Sequence, residues 1–377
     1  MSDERPATGG PEPSYDKVVS GYRTFHHPQD FHCEWGGVLP ELSLAYESWG
    51  ELNADGSNAI LLQTGLSASS HARSHEENSH PGWWEQFIGP GLALDTDRFF
   101  VVCSNLLGGC YGSTGPSSID PRSGLPYGPD FPILTVADMV RAQFLLLDHL
   151  GVGTLHAAVG ASLGGMQSLQ AAALESGRVN RCVSISACAQ SHPMSVAMRY
   201  VQRQAVLTDP AWAEGRYYGQ SFPHVGLKLA REIGTITYRS GPEWEERFGR
   251  KRSSDDVPRY DADFEVESYL DYQGEKFCLM YDPNSYLVIS KAMDLFDLGA
   301  GQPSYAQGVS RVSCPTLVIG VRSDLLFPCW QQREIASILE KAHLPVKYVE
   351  IDAPYGHDTF LIEVDAVGGP VKRFLEG

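Results

Sequence analysis

The sequence predicts an α/β fold: a mostly parallel sheet with helices on both faces, and a helical lid inserted late in the chain. Three observations carry this. Short apolar runs recur along the chain, helix-like segments separate them, and from about residue 190 to 305 the pattern is helical before strand signals resume at Val312. Strands that alternate with helices imply a parallel sheet covered on both sides.

The elements follow in order. Residues 1–20 carry no periodic pattern and read as a solvated, disordered tail. Leu39–Tyr46 alternates as an early strand. Asn58–Gln63 is a strand that runs into Thr64, Gly65, Leu66 and Ser67, and Arg98–Cys103 is another, entering Ser104 and Asn105. Val136–Leu150 has apolar residues at helical spacing. Leu155–Val159 runs into Gly160-Ala-Ser-Leu-Gly164, and a helix-like segment follows. Asn180–Ser186 is a further strand, and Pro315–Val321 and Val346–Ile351 are the last two. The expected division is a tail at 1–20, a core at 21–188 and 308–377, and a lid at 189–307. An insertion between core strands is a usual place for a cover over a site.

Composition narrows the function. The chain has 377 residues, 42% of them apolar, and a formal net charge of −17. An acidic surface argues against nucleic acid and anionic membranes as partners. It does not forbid an anionic cofactor, which would need a local basic patch. No apolar stretch approaches the ~20 residues of a membrane span, and the first residues lack both a signal core and an Arg-rich amphipathic pattern. The eight cysteines show no C-x-x-C pairing. The expectation is a cytoplasmic protein with reduced thiols and no membrane partner.

Ser162 carries the chemistry. A serine on a sharp strand-to-helix turn needs small neighbours, which Gly160, Gly164 and Gly165 supply. A hydroxyl is a weak nucleophile, so a base must take its proton and an acid must orient that base. Asp324 follows the strand ending at Val321, and His357 follows the strand ending at Ile351. The order Ser, Asp, His, each just past a strand, is the α/β-hydrolase arrangement. Asp352 and Asp358 compete with Asp324 as the acid but lie too close to His357 in sequence. The oxyanion donors expected are the backbone N–H of Leu163, next to the nucleophile, and that of Leu66 on the loop after an earlier strand.

Three other features read as structural. Leu107–Pro116 resembles a phosphate loop but lacks its lysine, and reads as a tight loop lining the pocket. His71, His75, Glu76 and His80 cluster without the spacing of a zinc helix, so no metal is expected. Trp83 and Trp84 read as packing.

The chain resembles the homoserine and serine O-acyltransferases of the α/β-hydrolase superfamily from about residue 35 to 365. The matching stretches are Pro81–Glu85, Ile88–Gly91, Asp95–Arg98, Gly108–Ser118, Asp138–Gln143, Gly164–Gln167, Ile236–Tyr238, Glu267–Leu270 and Gly356–Asp358. The resemblance implies no bound cofactor, with acyl-CoA as co-substrate in a ping-pong reaction, and a homodimer. It also implies an acceptor clamp, in which Arg231 matches the arginine that binds the acceptor carboxylate and Asp358 the aspartate that binds its amino group. The segment Thr64-Gly65-Leu66-Ser67 is similar to the serine-using branch, and Arg199 matches an arginine of succinyl-transferring members. A guanidinium there suits the free carboxylate of a succinyl group. The expected activity is therefore acylation of L-serine, with succinyl-CoA favoured, in cysteine biosynthesis. The alternatives are an L-serine or L-homoserine O-acetyltransferase, the latter in methionine biosynthesis, and a plain serine hydrolase or esterase.

Overall fold

A computed structural model describes residues 21–258, 260 and 263–377. The expected tail, residues 1–20, lies outside the described residues. The strands are β1 Arg23–His27, β2 Phe31–His32, β3 Val38–Leu39, β4 Leu42–Trp49, β5 Ala59–Gln63, β6 Phe100–Ser104, β7 Ala157–Ala161, β8 Cys182–Ile185, β9 Thr316–Val321 and β10 Val346–Ile351. The helices are α1 Val136–His149, α2 Leu163–Leu174, α3 Pro193–Leu207, α4 His224–Tyr238, α5 Gly241–Arg247, α6 Glu265–Cys278, α7 Pro283–Asp294, α8 Tyr305–Val309, α9 Cys329–Lys341, α10 Thr359–Ile362 and α11 Val364–Glu376.

Eight strands form one sheet in the order β1-β4-β6-β5-β7-β8-β9-β10. β4 pairs antiparallel with both β1 and β6. Every pair from β6 to β10 is parallel. The expected early strand at 39–46 is thus two pieces, β3 and β4. β3 instead pairs with β2 as a separate two-stranded ribbon.

β5, β7 and β9 are buried along their whole length, because both faces are covered, whereas β10 at the sheet edge is partly exposed. Side chains alternate between faces. Leu61 and Ala158 join a core with Met139, Leu146 and Met166 of α1 and α2. Ile60, Leu62 and Val159 join the opposite core with Trp84, Phe87 and, from α11, Val367 and Val371. The helix α1 starts at a capping box, in which the Thr135 hydroxyl accepts from the Asp138 N–H and the Asp138 carboxylate accepts from the Thr135 N–H.

Between β8 and β9 the chain runs through helices α3 to α8. No helix among the described residues is long and apolar enough to cross a membrane. All eight cysteines are free, and all but Cys314 are buried.

The junction of β7 and α2 is closely packed. A Cβ placed on Gly160 would lie 2.3 Å from the carbonyl carbon of Gly164, and one on Gly164 would lie 2.2 Å from the Gln63 carbonyl oxygen. Both obstacles are backbone and cannot step aside. Gly160→Ala should therefore destabilise the fold by roughly 1–3 kcal/mol. The measurement is a lower urea midpoint at unchanged m value, and an unaltered midpoint contradicts the packing.

Candidate active site

Ser162 sits between β7 and α2 with φ 58° and ψ −125°. A positive φ is strained for a residue with a Cβ and persists only where the surroundings hold it. Here the glycines let strand and helix approach, and the Ser162 N–H donates to the Ile185 carbonyl at 2.9 Å. The turn leaves the Ser162 side chain on the wall of a cavity of about 310 Å³. As first residue of α2, Leu163 has a backbone N–H that the helix itself cannot pair.

Asp324 and His357 lie on the loops that follow β9 and β10. His357 is buried within the short 3₁₀ turn Gly356–Asp358. Its Nδ1 donates to Asp324 Oδ2 at 2.7 Å. Asp324 Oδ1 accepts the N–H groups of Leu326 and Phe327, at 2.8 and 2.9 Å. The carboxylate is fixed on both oxygens, which fixes the ring. The ring's other nitrogen, Nε2, is then the one available as a base. Phe327 and Phe360 flank the imidazole, with ring centroids 5.3 Å away in each case. Burial opposes charge on His357, but the Asp324 carboxylate outweighs it, and the imidazole pKa lies above its ordinary value.

The cavity brings together residues from distant segments. Gly65, Leu66, Ser67 and Ala68 form one wall, and the Leu66 carbonyl accepts from the Tyr281 hydroxyl at 2.6 Å. Thr64 does not take part. It is fully buried and outside the lining, a correction to the expected acceptor-reading segment that leaves Gly65, Leu66 and Ser67 in it. Trp83, expected as packing, also lines the cavity, whereas Trp84 is in the core. The Leu107–Pro116 loop does not line it. It is pinned to β4 instead, where the Thr114 N–H donates to the Ser43 carbonyl at 2.8 Å.

Three arginines line the cavity, and each keeps one buried nitrogen without a hydrogen-bond partner among the described residues: Arg199 Nη1, Arg231 Nε and Arg239 Nε. Arg199, on α3, is only 4% exposed. Its Nε donates to Asp294 Oδ1 at 2.6 Å and its Nη2 to the Ser191 hydroxyl at 2.9 Å. Arg203 pairs with the other Asp294 oxygen at 2.6 Å. Two guanidinium groups thus share one carboxylate, which leaves a surplus positive charge. Arg231, on α4, lies against Tyr238 and Phe277, with its guanidinium carbon 5.4 and 4.8 Å from the ring centres. Asp358 is the only carboxylate among the described lining residues. Burial raises its pKa, against the lowering effect of His357, Arg239 and Arg231.

Sequence reasoning missed Arg239. It holds Glu243, donates to the Tyr269 hydroxyl at 3.0 Å and comes within 3.7 Å of Asp358. The signal available was its position next to Ile236–Tyr238, a stretch already marked by resemblance.

An eight-stranded, mostly parallel sheet with a strained serine at the β7–α2 turn defines an α/β hydrolase by fold. A model of the alpha/beta hydrolase fold matches residues 58–364. A serine O-succinyltransferase of Emericella nidulans is 50% identical over 97% of this chain and 83% of its own length. A homoserine O-acetyltransferase of Moorella thermoacetica is 47% identical over 94% of this chain and 96% of its own. Among solved structures, the homoserine O-acetyltransferase from Bacillus anthracis superposes with a TM-score of 0.89 at 28% identity, covering 95% of this chain and 98% of that one. The chain belongs to the homoserine and serine O-acyltransferase family of the α/β-hydrolase superfamily, and it is an acyltransferase.

Because the His357 pKa is raised, the ring becomes neutral at a higher pH than an ordinary imidazole does. Acylation of the enzyme should fall as pH drops through that raised value. Asp324→Asn should move the midpoint down and cut the rate by about 10⁴-fold. Stopped-flow acylation rates across pH check both, and an unmoved midpoint in Asp324→Asn contradicts the coupling.

Proposed function

We propose that the protein transfers an acyl group from acyl-CoA to the hydroxyl of L-serine, with succinyl-CoA as the favoured donor. The observation that carries the donor assignment is the spare Nη1 of Arg199 in a buried cluster with surplus positive charge. A succinyl group ends in a carboxylate that this nitrogen can bind, whereas an acetyl group offers nothing to it. The two bonds to Asp294 and Ser191 hold the guanidinium in place before a ligand arrives, so little entropy is lost on binding.

The reaction balances in two halves. The Ser162 hydroxyl attacks the thioester carbonyl while His357 takes its proton. The oxyanion is met by the N–H groups of Leu66 and Leu163. The tetrahedral intermediate collapses, and CoA leaves as the thiol with the proton from His357. The serine hydroxyl then attacks the acyl-enzyme, again losing its proton to His357, which returns it to Ser162. Arg231 receives the acceptor carboxylate and Asp358 its ammonium. Gly65, Leu66 and Ser67 border the acceptor's side chain, which supports serine over homoserine by the resemblance of this segment to the serine-using branch. The product carries an acylated hydroxyl, a good leaving group at its β-carbon. That suits a later displacement by sulfide and so cysteine biosynthesis, in the cytoplasm. The exposed apolar residues of the lid helices, Tyr200, Val201, Leu229, Ile236 and Tyr272 among them, suit the homodimer that the family resemblance implies.

The test is a matrix of acyl-CoA donors against amino acids, followed by thiol release. Serine with succinyl-CoA should give the highest kcat/KM. Preference for homoserine would refute the acceptor, preference for acetyl-CoA would refute the donor, and turnover that ignores the amino acid would mark a hydrolase. Ser162→Ala should remove transfer by several orders of magnitude. Arg199→Met should lower succinyl transfer about 10–100-fold, the worth of a hydrogen bond to a charged group, and leave acetyl transfer nearly unchanged. The fold should survive, because Arg203 remains on Asp294. Equal losses with both donors would make Arg199 structural only.

A further inference from the structure

A cluster of titratable side chains lies outside the cavity. Glu47, on β4, is 2% exposed. Its Oε1 accepts the Ser70 hydroxyl at 2.7 Å, and its Oε2 accepts His71 Nδ1 and His75 Nε2, both at 2.8 Å. The sequence grouped His71 and His75 with Glu76 and His80. The fold pairs them with Glu47 instead, and His80 supplies only its carbonyl.

Donor accounting places the protons. His71 Nε2 lies 2.7 Å from the His80 carbonyl oxygen, which can only accept. Both ring nitrogens of His71 therefore face acceptors, and the ring is an imidazolium. Burial works against that charge, but the Glu47 carboxylate and the His80 carbonyl outweigh it and raise the His71 pKa. His75 Nδ1 accepts the Glu77 N–H at 3.3 Å, so the His75 proton is on Nε2, toward Glu47. These three side chains have the composition of a two-histidine, one-carboxylate metal site, with ligand atoms within 4.8 Å of one another. A cation would need lone pairs on His71 Nδ1 and His75 Nε2. In the hydrogen-bonded arrangement those two nitrogens instead face the Glu47 carboxylate as donors.

The cluster holds the segment that follows β5. Ser70 and His71 close the stretch whose first part, Gly65–Ala68, forms the cavity wall. The Ser70 N–H donates to Asn105 Oδ1 at 2.5 Å, and Trp83 Nε1 donates to the Ser69 carbonyl at 2.9 Å. We propose that Glu47, charge-balanced by the His71 imidazolium, is a positioning residue for acyl transfer that fixes the 64–71 loop so that the Leu66 N–H meets the oxyanion. This rests on the reading of Leu66 as an oxyanion donor and on no particular donor or acceptor.

Among the described residues, further charged and titratable groups lie around the pair. Glu85 acts on His71 through space and is itself held by the Ser74 hydroxyl and N–H and the Gly82 N–H. Arg73 lies near Glu85. Cys103, opposite Glu47 on β6, is kept as a thiol by burial and by the Glu47 charge. None of them supplies a second cation to Glu47. The ion pair is intact below the raised pKa of His71 and is lost as pH rises through it.

The experiment uses the full chain and the pre-steady-state burst of p-nitrophenyl acetate, which acylates Ser162 without CoA or an amino acid. Errors in the donor or acceptor assignment leave this readout intact, and loss of the burst in Ser162→Ala separately checks the nucleophile. Loss of the proton from His71 should lower the wild-type rate. Glu47→Gln keeps the shape and one acceptor but removes the charge. It should slow acylation about 10–100-fold and move the part of the pH profile that follows His71 to lower pH. If Glu47→Gln does not fold, His75→Ala should slow acylation several-fold, roughly the worth of one hydrogen bond, and His75→Gln, which can still donate to Glu47, should restore most of it. An acylation rate within about twofold of wild type in Glu47→Gln or in His75→Ala overturns the proposal. So does a pH profile that Glu47→Gln leaves unmoved. One equivalent of zinc in the purified protein, with acylation lost on chelation, would replace it with a metal site.

Discussion

One close approach underlies the site: the backbone of Gly164 set against the carbonyl of Gln63, with no room for a Cβ. That contact draws the start of α2 onto the end of β5. It puts the Ser162 turn and the Gly65–Ala68 wall on the same cavity, and it brings the first unpaired N–H of a helix toward the loop after β5. The strain at Ser162, φ 58°, is held by the packing of β7 between β5 and β8. An element with that little slack cannot be improved locally, because the obstacles are main chain.

Around this frame the cavity is electrostatically unlike the rest of the molecule. A chain with a net charge of −17 gathers Arg199, Arg231 and Arg239 on one cavity against Asp358, the single lining carboxylate among the described residues. Their buried partners, Asp294 and Glu243, hold two of them in place without using all their donors. Several exposed arginines have carboxylate partners at the surface, such as Arg322 with Asp352 and Arg216 with Asp130. Those pairs are solvent-screened and contribute little. The cavity arginines are different, since desolvation strengthens whatever an anionic ligand brings to them.

The sites legible in the sequence are those whose signal is local. Ser162 has its glycines within two or three residues, and Asp324 and His357 each follow a run of strand formers, so position relative to a strand end was readable. Arg231 and Asp358 became readable only through family resemblance, since a lone arginine on a helix looks like a surface residue. Arg239, Asp294 and Glu47 had no local signal. Asp294 reaches Arg199 across 95 positions of sequence, and Glu47 reaches His71 across 24.

By itself, the sequence determined the elements and their order: apolar runs at strand length, helical periodicity between them, and a turn that only small residues can make. Those follow from each residue's own steric and solvation preferences. Which side chains share a carboxylate was decided by tertiary structure alone. So were the exclusion of Thr64 from the cavity while Trp83 enters it, and the gathering of two histidines on Glu47 rather than Glu76. The physical reason is that ion pairs and buried hydrogen bonds act over a few ångströms in space, and only the closed sheet and its covering helices set which residues come that near.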